Sequence, residues 1–176
     1  IDGTRAAETL TIPTAGVLSA SEGTIEVIYI PNFDSSKVAL GSAGQDWWWI
    51  FGAGSATNTN ELRLAYNNGS WHVRVGGSSD TTYATSFAAG DKISLALAWK
   101  QGVYARLFIN GVKVATFTPS NFNIGTIASI GYSYLWNQYR CNGLIDDLRI
   151  SNRARTDEEI AAAYQSGQSL PVDEWT

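Results

Sequence analysis

Two Asn-Gly pairs, Asn68-Gly69 and Asn110-Gly111, constrain the fold of this chain more than any other feature. Each pair stands between two runs of alternating apolar residues. Asn-Gly favours the two-residue type I′ turn, because both central residues need a positive φ and the turn's twist matches that of paired strands. The sequence therefore predicts two β-hairpins, with strands at Glu61–Tyr66, Trp71–Gly76, Val103–Ile109 and Val112–Thr118.

The register of the first hairpin brings two arginines together. If its Asn-Gly pair forms the turn, Arg63 lies directly opposite Arg74 on the outward face. Like charges directly across two strands repel each other. We therefore expect an acidic side chain, Glu26 or Asp46, or a bound anionic group between the two arginines.

Alternation with a period of two predicts further strands along the chain. Lys92–Lys100 alternates most regularly, and its small outward residues, including Ala96 and Ala98, leave room for something to lie on that sheet. Many short strands separated by turns predict an antiparallel sandwich of two sheets. The other predicted strands are Glu8–Ile12, Thr24–Ile30, Trp47–Phe51, Thr81–Phe87, Ile127–Tyr132 and Asn142–Ile150.

The last predicted strand, Asn142–Ile150, contains two adjacent carboxylates. Strict alternation places Asp146 in an apolar row with Leu144 and Leu148, and it places Asp147 on the opposite face. Burial of an unpaired carboxylate costs several kcal/mol. We therefore expect backbone amides, an arginine or a cation beside Asp146.

A capping box follows this strand. Thr156 is followed three residues later by Glu159, and at this spacing each side chain binds the other residue's backbone amide at a helix start. The pattern predicts a short helix from Asp157 to about Gln165, with Gly167 as its end.

The closing stretch from Gly143 to Gln165 resembles the closing signature of laminin-G-like (concanavalin A-like) jelly-roll domains. It combines an Ile-Asp-Asp strand, an Arg-Ile exit, an Asn-Arg-Ala turn and a capped helix. The run ALAWKQGVYARLFINGVKVAT is similar to the central hairpin of these domains, and the resemblance covers about Thr9 to Tyr164. It implies an all-β fold: a two-sheet antiparallel jelly-roll sandwich with one short C-terminal helix.

Composition limits the classes of partner. A net charge of −4 argues against nucleic acid, whose binding needs a clustered basic face. No stretch approaches ~18 consecutive apolar residues, so we expect no membrane insertion.

The length of the chain suits one domain. Residues 1–166 are expected to form it, with 167–176 as a tail or linker. Cys141 is expected to be a small core residue. Because the chain begins at Ile1 and contains no Met, we expect a piece of a longer protein that contacts neighbouring domains.

The segment Gly131–Arg140 is the leading candidate for a binding site. It places four aromatic residues beside amide and guanidinium groups next to the last strand, where a loop is expected near the surface. Flat rings contact sugar C–H groups while polar side chains bind hydroxyls. The alternative is that these rings cover the open end of the sandwich. The predicted ligand-binding residues are Tyr134, Trp136, Asn137, Gln138, Tyr139 and Arg140, extended by Asp46 and Trp47.

Calcium is the cofactor that the resemblance implies, because laminin-G-like relatives often bind it through Asp and Asn residues of loops. The sequence contains no D-x-D-x-D-G loop, which would supply a dense set of oxygen ligands. Solvated loop carboxylates are the alternative. The candidate metal ligands are Asp34, Asp46, Asn67 and Asp80.

Catalysis is not expected. Ser-His-Asp chemistry needs an oriented base, and the single histidine, His72, lies in mid-strand on a face that we expect to be solvated. Asp146 and Asp147 are expected on opposite sides of their sheet, where they cannot flank one glycosidic bond. The sequence thus favours a lectin-like module that binds a cell-surface glycan or polysaccharide. A structural protein-contact domain is the alternative, and a glycoside hydrolase is the least favoured.

The opening segment bears on where the protein acts. It reads TRAAETLTIPTAGVLSASEGTIEVIYIP and resembles segments of phage tail proteins. This resemblance implies an extracellular or virion-associated location.

Overall fold

The computed structural model describes residues 10–36, 47–54, 61–77, 79–133 and 138–168. In these ranges the chain forms thirteen strands and one helix. They are β1 (Leu10–Pro13), β2 (Glu22–Pro31), β3 (Trp48–Ala53), β4 (Leu62–Asn67), β5 (Ser70–Val75), β6 (Thr81–Ala84), β7 (Ile93–Lys100), β8 (Tyr104–Ile109), β9 (Val112–Phe117), β10 (Ile127–Ile130), β11 (Tyr132–Ser133), β12 (Gln138–Arg140), β13 (Gly143–Ser151) and α1 (Asp157–Gln168).

Two antiparallel sheets form the sandwich. One sheet has six strands in the order β1-β10-β3-β4-β5-β6, and the other has five in the order β13-β2-β7-β8-β9. β11 and β12 pair as a separate two-stranded ribbon. This arrangement confirms the predicted all-β, two-sheet sandwich with one helix near its C-terminal end.

The core lies between the two sheets and is built from alternate residues of each strand. Ile25, Val27 and Tyr29 of β2 share the inward face and are at most 2% exposed. Trp71 of β5 faces them from the other sheet, and its ring meets that of Tyr29 edge-on at a centroid distance of 6.0 Å. Removing such surfaces from water stabilises a fold by about 25 cal/mol per Å². The contact between sheets is therefore the main source of stability.

Both predicted hairpins are present. Asn68 and Gly69 have φ values of 45° and 79°, and Asn110 and Gly111 have values of 51° and 74°. Two consecutive positive φ angles are the signature of the type I′ turn. The first turn sets the predicted register, in which Arg63 lies opposite Arg74.

Helix α1 covers the outward face of β7. Its Ile160 is 3% exposed and packs in one cluster with Ala96, Ala98 and Phe108. The small outward row therefore makes room for the chain's own helix. No helix in the described part of the chain has the length and apolar character that crossing a lipid bilayer requires.

The start of α1 follows the prediction, and its end does not. The Glu159 amide donates to Thr156 Oγ1 at 3.2 Å, and the Thr156 amide donates to Glu159 Oε2 at 2.8 Å, which completes the capping box. The helix continues to Gln168, so Gly167 does not end it. Gly167 lacks the positive φ of a helix-ending glycine.

Strand β13 departs from strict alternation. Its register against β2 shifts just after Asp146, and Asp147 has a φ of 47°, as in a β-bulge. The bulge resets the alternation, so Ile145 and Leu148 pack against the core while Asp146 is exposed. The prediction that Asp146 lies in an apolar row with Leu144 and Leu148 is wrong, since Leu144 is 62% exposed.

Smaller differences occur at strand ends. β3 begins at Trp48 where Trp47 was predicted, and β6 ends at Ala84 where Phe87 was predicted. Cys141 packs against the core as expected. Its burial raises the pKa of the thiol to about 12.

We expect Ile160→Ala to destabilise the domain by about 2–5 kcal/mol, because it removes the side chain that joins α1 to the sheet. Urea denaturation followed by circular dichroism measures this loss. The matched control is Gln165→Ala on the exposed side of α1, with an expected change within about 0.5 kcal/mol. Equal effects of the two substitutions would show that Ile160 does not dock the helix.

Candidate functional site

An aromatic and ionic cluster lies on the outer face of the six-stranded sheet, and we call it the Trp47 cluster. Its members come from the start of β3, from β4 and β5, and from the segments just before β4 and β6. They are Trp47, Trp49, Glu61, Arg63, His72, Arg74 and Asp80.

A bulge in β3 turns Trp49 to this outer face. The register against β4 shifts between Trp49 and Phe51, so Ile50 and Phe51 both enter the core. The indole of Trp49 then lies along the sheet over Gly52, where a Cβ atom would come within 2.5 Å of Trp49 Nε1. Gly52 is therefore required for this position of the ring.

The guanidinium of Arg63 fixes the two tryptophans relative to each other. Its Cζ lies over the Trp47 ring, 4.9 Å from the centroid, and 5.4 Å from the centroid of the Trp49 ring. A cation this close to an aromatic face is attracted by the ring's quadrupole. Trp49 is 2% exposed, whereas Trp47 is only half-buried. Trp47 therefore presents part of its ring at the surface from a fixed position.

Two carboxylates neutralise the facing arginines. Glu61 Oε1 lies 3.2 Å from a guanidinium nitrogen of Arg63 and of Arg74. Asp80 accepts from Arg74 Nε at 2.9 Å and also pairs with Arg63. The expectation of an acidic partner is confirmed, although sequence reasoning did not name Glu61 or Asp80. The prediction of Glu26 was wrong. Glu26 lies on the five-stranded sheet, where it pairs with Arg155, and Asp46 lies outside the described residues.

His72 belongs to the same cluster. Its Nδ1 lies 3.2 Å from Asp80 Oδ2, and its ring meets the Trp47 ring at a centroid distance of 4.6 Å. The side chain is 17% exposed. The mid-strand position agrees with the prediction. The expected solvated face does not, because Trp47 and the ionic side chains cover it, and His72 lies between Trp47 and Asp80.

Burial and charge set the protonation of the two acids. Burial alone would raise the pKa of Asp80, but hydrogen bonds from His72 and Arg63 and the charges of both arginines hold it well below its ordinary value. Burial raises the pKa of Glu61 despite the nearby arginines. Asp80 is therefore the firmly ionised member of the cluster.

The β11–β12 ribbon contains the described part of the predicted aromatic rim. Tyr132 pairs with Arg140 and is 6% exposed, and the Arg140 guanidinium lies 5.5 Å from its ring centroid. Tyr139 is half-buried and has a φ of 62°. Tyr132 therefore covers the sandwich, as the alternative interpretation held. Tyr134, Trp136 and Asn137 lie outside the described residues, and Gln138 begins β12.

The ribbon and Trp47 lie at the same part of the six-stranded sheet. β10 runs antiparallel to β3, and beyond its end the Gly131 amide donates to the Ile50 carbonyl at 2.9 Å. The chain then enters β11 in the direction of Trp47. That Trp47 extends a binding rim stays a prediction, as do the other predicted ligand residues.

Three of the predicted metal ligands, Asp34, Asn67 and Asp80, lie in the described residues. Asp34 Oδ1 accepts from the Ala89 amide at 2.9 Å, and Asn67 ends β4. Two oxygen side chains are far fewer than the six to eight ligands that calcium takes. Asp80 is engaged by the arginines, and the described residues contain no group of three His, Cys, Asp or Glu side chains suited to a metal.

The prediction that Asp146 and Asp147 lie on opposite sides of their sheet is wrong. The bulge brings both to the lining of one hollow on the five-stranded sheet. The Asp147 carboxylate binds Arg149 with two hydrogen bonds of 2.9 and 2.7 Å. A paired carboxylate of this kind is a poor acid or nucleophile.

The role of Glu61 and Asp80 beside the arginines was missed by sequence reasoning. The spacing of Glu61 and Arg63, two apart on one strand face, was the available signal. Asp80 had no such signal, because a turn brings it back from outside the hairpin.

The family is identified by its sequence pattern. The family model Laminin_G_3, described as the concanavalin A-like lectin/glucanases superfamily, matches residues 3–161. No curated protein matches the sequence.

Several solved structures share the fold. The binding domain of botulinum neurotoxin serotype G has a TM-score of 0.67 at 12% identity, covering 94% of this chain and 42% of that chain. The NanB sialidase from Streptococcus pneumoniae has a TM-score of 0.65 at 14% identity, and the match covers 87% of this chain and 26% of that chain. Domain 4 of AbnA, a GH43 extracellular arabinanase from Geobacillus stearothermophilus, is described in complex with arabinotriose. It has a TM-score of 0.63 at 20% identity, and the match covers 89% of this chain and 72% of that chain. The chain thus spans less than half of the first two structures, and identities this low show the fold alone.

We expect Asp80→Asn to destabilise the domain by about 3–5 kcal/mol at pH 7, because it leaves two buried arginines short of a counter-charge. The pKa of Asp80 is lower in the folded protein than its ordinary value of 3.8. Its contribution is therefore complete above that value and is lost as the pH falls further below it. Urea denaturation of both proteins between pH 7 and pH 3 should show the difference shrinking in acid. Gln165→Ala on the exposed side of α1, which removes no titratable group, is the control. A pH-independent difference would contradict this account.

Proposed function

Because the chain belongs to the concanavalin A-like lectin/glucanases superfamily, we propose that it is a non-catalytic carbohydrate-binding module. It would serve a larger secreted or virion-associated protein and bind a cell-surface glycan or polysaccharide. The observation that carries the proposal is the partly exposed side chain of Trp47, held by Arg63 and His72 beside the β11–β12 ribbon.

The cluster supplies the two ingredients of a saccharide site. An indole ring offers an apolar face to the C–H groups of a sugar, and neighbouring polar side chains bind its hydroxyls. His72 is a polar neighbour of Trp47 that keeps some exposure, and Arg140 is exposed on the β11–β12 ribbon. The ring's position is set before a ligand arrives, so little conformational entropy is lost on binding.

Similarity of fold gives separate support. The arabinanase domain that shares this fold is described in complex with arabinotriose.

The proposed site has two sets of residues. The described ranges contain Trp47, Gln138, Tyr139 and Arg140. The proposed site also includes four residues outside those ranges, which are Asp46, Tyr134, Trp136 and Asn137.

We expect Trp47→Ala to weaken glycan binding by about 30-fold or more, the effect of about 2 kcal/mol that is usual for a central aromatic contact. A glycan array first finds the ligand, and isothermal titration then measures both proteins. Trp47→Phe keeps a flat ring and is expected to retain most of the affinity.

Three results would overturn parts of the proposal. Absence of binding to every glycan would favour a protein-contact module. Unchanged affinity in Trp47→Ala and in the double variant Trp136→Ala, Tyr139→Ala would remove this site. Release of sugar products from a bound polysaccharide, abolished by Asp146→Asn, would show a hydrolase.

Calcium is proposed as a supporting ion with Asp34 and Asn67 among its ligands, and Asp46 stays a further predicted ligand. If these residues bind it, added Ca²⁺ raises the melting temperature, because a ligand of the folded state stabilises that state by mass action. Differential scanning calorimetry in Ca²⁺ and in EDTA measures the shift, and Asp34→Asn should reduce it. Identical melting temperatures in the two buffers would exclude a calcium site of useful affinity.

A further inference from the structure

The hollow that Asp146 and Asp147 line is on the opposite side of the sandwich from Trp47, between the five-stranded sheet and α1. Its volume is about 280 Å³. Ile28 of β2 and Ser94 of β7 form its floor, and Tyr164 of α1 forms one wall. The β13 bulge forms another wall, and Lys92 stands at one end. The hollow thus combines an aromatic ring and an apolar floor with several polar groups.

The walls of this hollow are held in place by backbone features. The bulge at Asp146–Asp147 turns two successive carboxylates toward it. The Tyr164 ring packs on the Asn110-Gly111 turn, where a Cβ on Gly111 would come within 2.8 Å of the ring. A larger residue at that turn would displace the ring. Gly111 therefore both forms the turn and allows Tyr164 to line the hollow.

Most charges in the hollow are already paired. Asp147 binds Arg149, and Glu26 binds Arg155. Asp146 uses one carboxylate oxygen to accept from the Asp147 amide at 2.8 Å. Within the described part of the chain, its other oxygen and the Lys92 ammonium have no hydrogen-bond partner. One free acceptor and one free donor of opposite charge suit a ligand rich in hydroxyls and without net charge.

A smaller hollow of about 200 Å³ also touches Lys92, but it is lined by Ile93 and Ile109, which belong to the core between the sheets. Ser94, the next residue after Ile93, faces the larger hollow on the outer side of the sheet. Small-molecule sites typically have volumes of about 300–1,000 Å³. The larger hollow, at about 280 Å³, is close to the lower end of that range, so it suits a single sugar unit.

We propose that the larger hollow, which we call the groove beside Tyr164, is a second saccharide site, which binds one unit of an uncharged oligosaccharide. Tyr164 and Ile28 contact sugar C–H groups, Asp146 accepts a hydrogen bond from a hydroxyl, and Lys92 donates one. The proposal shares the ligand class of the proposed function but lies on the opposite face from Trp47.

The experiment maps binding residue by residue on the whole chain. Xylotriose, cellotriose and arabinotriose are titrated into ¹⁵N-labelled protein, with 3′-sialyllactose as the acidic comparison. The amide signals of Ile28, Lys92 and Ser94 report on the groove. We expect at least one neutral trisaccharide to shift them, in the unaltered protein and equally in Trp47→Ala. Lys92→Ala and Asp146→Asn should each weaken this binding by about tenfold, the effect of one hydrogen bond to a charged group.

The outcomes separate the two sites. Shifts confined to residues around Trp47 and β12 would overturn the groove and leave the proposed function standing. Shifts in the groove that survive both substitutions, or that only the acidic sugar causes, would also overturn it. Groove shifts with none near Trp47 would support the second site and move the lectin function there. No shift with any sugar would overturn both.

Discussion

The structure depends on one dry interface between two sheets, in which every second residue of the central strands is buried. Trp71, Trp99 and Tyr29 are fully buried there. Their close contacts leave little freedom in how the sheets stack, because interiors pack as densely as organic crystals. The alternation that fills this interface also sends the intervening residues outward, so the same pattern creates both outer faces.

The two outer faces are covered in different ways. On the five-stranded sheet, Ala96 and Ala98 leave space that Ile160 of α1 fills with apolar contacts. On the six-stranded sheet, Arg63 and Arg74 are 5% and 8% exposed and must keep partners. Buried ion pairs add little net stability, because desolvation offsets their attraction, but losing one partner is costly. The ionic cluster therefore fixes the positions of its side chains, and through Arg63 and His72 it fixes the position of Trp47.

This division explains why family membership does not identify the ligand. The sandwich needs only its alternating core, and many outer faces and loops are compatible with that core. Structures as different as a neurotoxin binding domain and an arabinanase domain share the fold with this chain at 12% and 20% identity. The function must therefore be decided at particular side chains, and the ones we propose are Trp47 with its neighbours and the groove beside Tyr164.

The sequence by itself determined the hairpins, the inward rows and the helix start, since these depend on residues close together in the chain. Asn68-Gly69 requires its turn, and Thr156 with Glu159 requires its cap, whatever surrounds them. Only the tertiary structure decided where alternation breaks. The bulge after Asp146 lets Leu148 reach the core and exposes both carboxylates, and no local pattern marks it. The partners of Arg63 and Arg74 were decided in the same way, because Asp80 reaches them through the path of a turn and not through strand spacing.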